Sequence, residues 1–321
     1  MKKTGFYFWI ACMGLVLVWP AGIMAAEKYP TKPIKITVAW GAGSSQDIPQ
    51  RIAAEEARKH LGVPIAFVNT PGASGMTGTR EVIKNAKPDG YSLLSFADST
   101  WYPIFAGMTD YRMEEFELVA NLFKQPLAAI VPKDSPWNSM QDLVKHAKEK
   151  PDTVRWAMTV GNQSHFIPMQ IEKLTGAKFK FVAIPGGDVQ RQAALLAGNV
   201  DGLLGYPSSV DEYIKAGKFK LLGVTYGERL KSHPAVPTFK EQGVNVTYEF
   251  RVGLTGPRGI AREQVRIING AYEKALKEPN TVKKLESLGF DIDYMSADTL
   301  KKWMDRFSVD LKEYAREAYK K

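Results

Sequence analysis

Trp40-Gly41-Ala42-Gly43-Ser44-Ser45-Gln46-Asp47 decides the fold class, because of what lies on either side of it. The residues leading in, Ile34 to Trp40, are apolar and β-branched, as in a strand. Beyond the loop, Ile48, Ile52, Ala57 and Leu61 recur at helical spacing until Gly62. A strand running through a glycine-rich turn into a helix is the building unit of an α/β sheet. The unit recurs outward from there. Ile65 to Val68, a helical stretch near Thr79 to Ala86, and Tyr91 to Phe96 after the turn Lys87-Pro88-Asp89-Gly90 complete one module. A second follows: Val154 to Val160, a helix around Pro168 to Leu174, Phe179 to Ile184, a helix from Asp188 to Ala197, Val200 to Leu204 and Leu221 to Thr225. Two α/β modules with largely parallel sheets are expected. Val265, Ile268, Tyr272 and Leu276, then Leu300, Trp303, Met304, Phe307, Leu311 and Tyr314, mark the apolar faces of C-terminal helices.

Three more polar, glycine-rich loops share the strand-to-helix position. They are Asn69-Thr70-Pro71-Gly72-Ala73-Ser74-Gly75, Val160-Gly161-Asn162-Gln163-Ser164-His165-Phe166 and Ile184-Pro185-Gly186-Gly187-Asp188. A helix start offers unpaired N–H groups and the positive end of the helix dipole, so it holds an anion without a charged side chain. Ligands of open α/β sheets bind beyond the carboxyl ends of the strands. Loops from two facing modules would thus line opposite walls of one cleft.

Enzymatic motifs fail one by one. Gln46 stands where a dinucleotide fingerprint needs its third glycine, and the first loop has no lysine for a P-loop. Met76 replaces the last glycine of a hydrolase elbow around Ser74. Of the loop serines Ser44, Ser74 and Ser164, only Ser164 has an imidazole beside it, His165, and no neighbouring carboxylate suggests a triad. His60, His146 and His233 lack metal-ligand spacing to His165, so neither metal nor cofactor is expected. Asp47 reads locally as a helix N-cap, with Gln50 completing a capping box. No arginine falls within 41–47, 72–75 or 161–166, so charge is to be met by amides and hydroxyls rather than by a guanidinium clamp.

The amino terminus supplies the compartment. Lys2 and Lys3 precede an apolar run from Phe6 to Trp19, and small residues at Ala21, Gly22, Ala25 and Ala26 follow Pro20. This is the pattern of a secretory signal peptide, 1–26, cleaved after Ala25 or Ala26. It predicts a periplasmic protein. The single cysteine, Cys12, falls inside that segment, so no disulfide or thiolate chemistry is expected in the mature chain. Cleavage lowers the formal net charge from +9 to +7, a balance suited to an anionic ligand. The lysines are scattered and form no basic stripe, which argues against nucleic acid. About 295 remaining residues exceed what one core usually serves, so two domains are expected.

Further elements resemble the extracytoplasmic receptors of tripartite tricarboxylate transporters, the Bug/TctC family. They are Tyr29-Pro30-Thr31-Lys32-Pro33-Ile34, the Asn69 to Gly75 loop, Lys87-Pro88-Asp89-Gly90-Tyr91-Ser92-Leu93-Leu94 and Gly161 to Phe166. Ala197-Gly198-Asn199-Val200-Asp201, Ile214-Lys215-Ala216-Gly217-Lys218 and Ala235-Val236-Pro237-Thr238-Phe239 follow in family order. The resemblance implies a type II periplasmic-binding (Venus flytrap) fold, two lobes joined by two crossing strands, with lobe 1 at 27–124 plus 247–321 and lobe 2 at 125–246. It implies a small organic carboxylate in the cleft, held by Gly43, Ser44, Ser45, Ser164 and neighbouring amides, with Asp47 beside them and water held at Gly186 and Gly187. Trp40, Ser74, Gly75, Thr100, Asn162, Gln163 and His165 complete the expected site. The chain departs from the family at Asn162, at Ile184-Pro185 and at Ser99-Thr100-Trp101-Tyr102, where an aromatic pocket edge is expected. The expected ligand is therefore a di- or tricarboxylate or an aromatic acid. The expected partners are the large and small membrane subunits of the transporter, with the receptor a monomer. A receptor presenting its ligand to a sensor kinase, and a serine hydrolase, are the alternatives.

Overall fold

The computed structural model describes residues 29–318, with side chains as far as 308 and at Lys312. The signal-peptide segment, and the side chains of Leu311 and Tyr314, lie outside what is described.

The first lobe opens with β1 (Ile34–Val38), α1 (Asp47–Leu61), β2 (Ile65–Asn69), α2 (Met76–Asn85), β3 (Ser92–Ala97) and the short α3 (Tyr102–Phe105). Long strand β4 (Phe116–Pro126) then passes straight into β5 (Ala128–Pro132) of the second lobe. There the chain forms α4 (Met140–Glu149), β6 (Val154–Met158), α5 (Gln163–Thr175), β7 (Phe179–Ala183), α6 (Asp188–Leu196), β8 (Gly202–Gly205), α7 (Pro207–Lys215) and β9 (Phe219–Val224). It returns through β10 (Glu249–Pro257) and ends with α8 (Arg262–Ala275), α9 (Pro279–Ser287), β11 (Asp291–Ser296) and α10 (Ala297–Ala318).

Six strands order as β11-β4-β10-β3-β1-β2 and five as β7-β6-β8-β5-β9. Among the described strands, only the pairs of β1 with β2 and β3, and of β6 with β7 and β8, are parallel. The expectation of largely parallel sheets is thus corrected to mixed ones. The strand by which the chain enters a lobe from the other, β5 in the second and β10 in the first, lies against the direction of the βα units, whereas β4 leaves the first lobe along that direction. Accordingly β10 runs antiparallel to both β3 and β4, and β5 to both β8 and β9.

Local chemistry sets the helices. Gly62 and Gly176 take the left-handed conformation that ends α1 and α5. Helix α5 starts five residues earlier than its Pro168 suggests, because the Asn162 side chain accepts the Ser164 N–H and caps the first turn. Val265, Ile268, Tyr272, Leu276, Leu300 and Met304 are buried as expected, while Trp303 and Phe307 stack at 4.4 Å at the core margin.

The two linking segments meet at one side chain. Thr225, fully buried after β9, accepts the Leu127 N–H at 3.1 Å on its hydroxyl and donates that hydroxyl to the Tyr248 carbonyl at 2.7 Å. Its backbone N–H reaches Leu127 O, and its carbonyl accepts Tyr248 N–H. A single threonine therefore ties the outgoing segment to the returning one.

Candidate functional site

The loops following β1, β2 and β3 leave the same edge of the first sheet, since β1 and β2, and β1 and β3, run parallel in register. The loops following β6, β7 and β8 leave the matching edge of the second. These edges touch. Ser74 Oγ donates to the Val160 carbonyl at 3.2 Å, and the rings of Tyr102 and Phe166 lie 4.4 Å apart.

In the first lobe, Gly43 takes φ +81°, which lets its N–H turn inward to Asp47 Oδ2 at 2.9 Å. Asp47 is not the N-cap expected from its position. It is the first residue of α1, Gln46 occupies the cap without a side-chain bond, and Gln50 instead donates across the core to Gly253 O. The buried carboxylate serves as a bracket, its Oδ1 accepting from Arg51 Nε at 2.9 Å and Asn69 Nδ2 at 3.0 Å. Asn69 also donates to Trp40 O, so the loop is tied to the end of β2. Among the described residues the Ser45 and Gln46 N–H groups have no partner, and Ser44 Oγ is buried without one. Gly75, at φ +90°, leaves room for the Trp40 indole, which a β-carbon would approach to 3.4 Å. The Thr100 hydroxyl accepts the Ala97 N–H and closes the turn after β3.

In the second lobe, the Ser164 hydroxyl is engaged on both sides. It donates to Asn162 Oδ1 at 2.6 Å and accepts Thr159 N–H at 2.9 Å. Its proton therefore does not point at His165, whose Nδ1 is buried without a partner and whose pKa is lowered by burial. The imidazole packs between Phe166 and Phe181. No nucleophile–base pair is assembled there. Gly161 and Gln163 present N–H groups with no partner among the described residues. Gly186, at φ +98°, accepts the Thr159 hydroxyl on its carbonyl, and Gly187 N–H donates to Gln190 Oε1.

Four residues that no motif singles out complete the arrangement. Tyr206, between β8 and α7, accepts Gln163 Nε2 at 3.2 Å on its hydroxyl and is influenced by Ser45 of the facing lobe. Burial pushes its pKa upward, so it is a neutral phenol. Arg191, buried in α6, donates to Thr159 Oγ1 at 2.7 Å and pairs with Asp188 at 3.0 Å, bracing the second-lobe loops from behind. Asp98 and Tyr248 lie buried near the crossing segments. Tyr206 follows the same strand-to-helix rule as the chosen loops, and Gly205-Tyr206-Pro207 was the available signal.

The matching family model, tripartite tricarboxylate transporter family receptor (TctC), covers residues 50–312. The chain belongs to that family. A relative described as UPF0065 protein in gbd 5'region, from Cupriavidus necator, is 30% identical over 92% of this chain and 90% of its own. A TctC solute-binding protein from Polaromonas, solved without ligand, superposes with TM-score 0.75 at 28% identity, over 90% of this chain and all of that one. Two Rhodopseudomonas palustris structures share the fold. MatC with bound malate has TM-score 0.79 at 23% identity, covering 89% of this chain and 100% of its own; another, solved with adipate, has TM-score 0.80 at 22%, covering 91% and 98%. As a TctC-family member the protein is a solute-binding receptor and not an enzyme. Among the described residues, no helix is long and apolar enough to cross a membrane.

Proposed function

We propose that this receptor is exported to the periplasm and closes on a small organic carboxylate between lobes 27–124 plus 247–321 and 125–246. It then delivers the ligand to the large and small membrane subunits of a tripartite tricarboxylate-type transporter. One observation carries the reading. Unpartnered N–H groups at two helix starts, Ser45 and Gln46 in one lobe and Gly161 and Gln163 in the other, lie on loop edges that touch at Ser74 and Val160, with Tyr206 near both. Helix-start amides suit a carboxylate, and binding from both lobes at once favours closure. The malate and adipate seen in the two fold neighbours are small carboxylates.

A thermal-shift screen over mono-, di- and tricarboxylates and aromatic acids tests it. A ligand at about 100 times its dissociation constant adds roughly 2.7 kcal/mol of stability. Solution scattering should show a smaller radius of gyration with that ligand present. If no carboxylate raises the melting temperature while neutral solutes do, the reading is wrong.

A further inference from the structure

The amide loops account for one end of the cleft. Near the crossing segments lies a second cluster that they do not use. Asp98 sits directly after β3 with no solvent exposure at all. Its Oδ2 accepts the Arg251 backbone N–H at 3.2 Å, the nearby Tyr248 hydroxyl also favours its charged form, and its Oδ1 has no partner among the described residues. The Arg251 guanidinium is occupied elsewhere, by Asp293 at 3.0 Å, by Glu249, and by the face of Trp303. Asp98 influences the hydroxyls of Tyr102 and Tyr248, and both of these are coupled to Tyr206 of the facing lobe. The Tyr248 hydroxyl and Gln163 Oε1 are likewise buried without partners.

A carboxylate and an amide oxygen only accept hydrogen bonds, and Asp98 Oδ1 and Gln163 Oε1 have no partner among the described residues. Buried acceptors left unmet are costly, and a group supplied by the ligand removes that cost. We infer that Asp98, with Gln163, determines specificity at the far end of the cleft, selecting carboxylates that end in a hydrogen-bond donor, a hydroxyl or ammonium group, over those that end in a second carboxylate. The inference rests on the carboxylate-cradle reading of the loops. A second carboxylate against Asp98 Oδ1 would set two like charges together away from water. Burial pushes the Asp98 carboxyl up to about 7, against the pull of Arg251. A ligand ammonium would favour its ionised form and a ligand carboxylate its protonated form.

Titration calorimetry near pH 8 decides it, with straight-chain carboxylates of three to six carbons ending in methyl, hydroxyl, ammonium or a second carboxylate. At the best-fitting length, the hydroxyl or ammonium member is expected to bind at least about tenfold tighter than the methyl and diacid members. Asp98→Asn keeps the shape and removes the charge, so it should erase any ammonium preference and strengthen diacid binding. The wild-type series stands alone should that variant fold poorly. A diacid or methyl member binding tightest, or an equal effect of Asp98→Asn on every end group, overturns the inference and leaves the cradle intact. If matched alcohols and amides without any carboxylate bind as well as the acids, the cradle reading itself fails. Absence of heat from every member overturns both.

Discussion

Asp47→Asn separates a bracket from a cap. As a helix cap Asn serves about as well as Asp, and the change would be silent. In the structure Asp47 is 2% exposed and accepts three hydrogen bonds, from Gly43 N–H, Arg51 Nε and Asn69 Nδ2. An amide keeps one accepting oxygen and sets an NH₂ group against either Gly43 N–H or Arg51 Nε. A buried donor left unmet costs about 1–3 kcal/mol. The Arg51 side chain is 44% exposed, so loss of that ion pair adds only about 0–1 kcal/mol. The expected loss is about 1–4 kcal/mol of stability, or roughly 2–16 °C in melting temperature for a chain of this size. Binding should weaken about tenfold, because the bracket holds the turn that presents the Ser45 and Gln46 amides. Denaturant unfolding of the unliganded protein and titration with its best carboxylate measure the two effects. An unchanged unfolding midpoint together with unchanged affinity would refute the bracket and restore the cap.

Ser164→Ala should cost about 1–3 kcal/mol of unliganded stability, because it strands Thr159 N–H, while Asn162 Oδ1 keeps the Ser164 backbone N–H. Ser45→Ala should instead weaken carboxylate binding about tenfold with little change in melting temperature, and the reverse pattern in the two variants would contradict these assignments. Thr225→Val preserves shape but strands the Leu127 N–H, so scanning calorimetry should show a drop equivalent to about 1–3 kcal/mol; a shift under a degree would remove Thr225 from the hinge. For Asp98, the unfolded carboxyl titrates near 3.9 and the folded one at about 7, so the native state holds the extra proton between those values. Its contribution to stability therefore falls as pH rises from about 4 to about 7 and is level above. Asp98→Asn should abolish that slope in chemical denaturation, and a wild type that gains on the variant across the window would contradict it.

What the sequence made legible was whatever local periodicity and turn chemistry determine. Strand β1, helix α1 and the loops at 40–47 and 160–166 follow from runs of some fifteen residues or fewer, and the structure has each of them. Strands β4 and β10 were not legible. Their segments carry Lys124, Glu249 and Arg251, charges that alternation rules assign to surface strands. Here they neutralise one another: Lys124 Nζ lies 2.8 Å from Glu249, and Arg251 pairs with Glu249 and Asp293. That cancellation joins β4, β10 and β11 and exists only in the folded chain. Ser164 shows the opposite limit. Its type and position suggest a ligand hydroxyl, but it donates its hydrogen bond to Asn162 Oδ1 two residues earlier.

The segments that link the two sheets and the buried Asp98 cluster are continuous through Tyr248. Its backbone bonds Thr225 on both N–H and C=O, and its side chain is coupled to Asp98 and Tyr102. Any rotation of the second lobe that shifts Thr225 must therefore also move Tyr248 or break two buried hydrogen bonds. A ligand donor meeting Asp98 beside it would then stabilise the arrangement in which Tyr102 packs on Phe166 across the cleft. A ligand bound only by the helix-start amides would lack that contact near the hinge. Affinity and closure should consequently separate in Tyr248→Phe, which keeps the ring but removes the buried hydroxyl. With a good carboxylate bound, that variant should scatter with a radius of gyration between those of the open and closed wild type. Full closure with unchanged affinity would show that the cradle loops alone drive the lobes together.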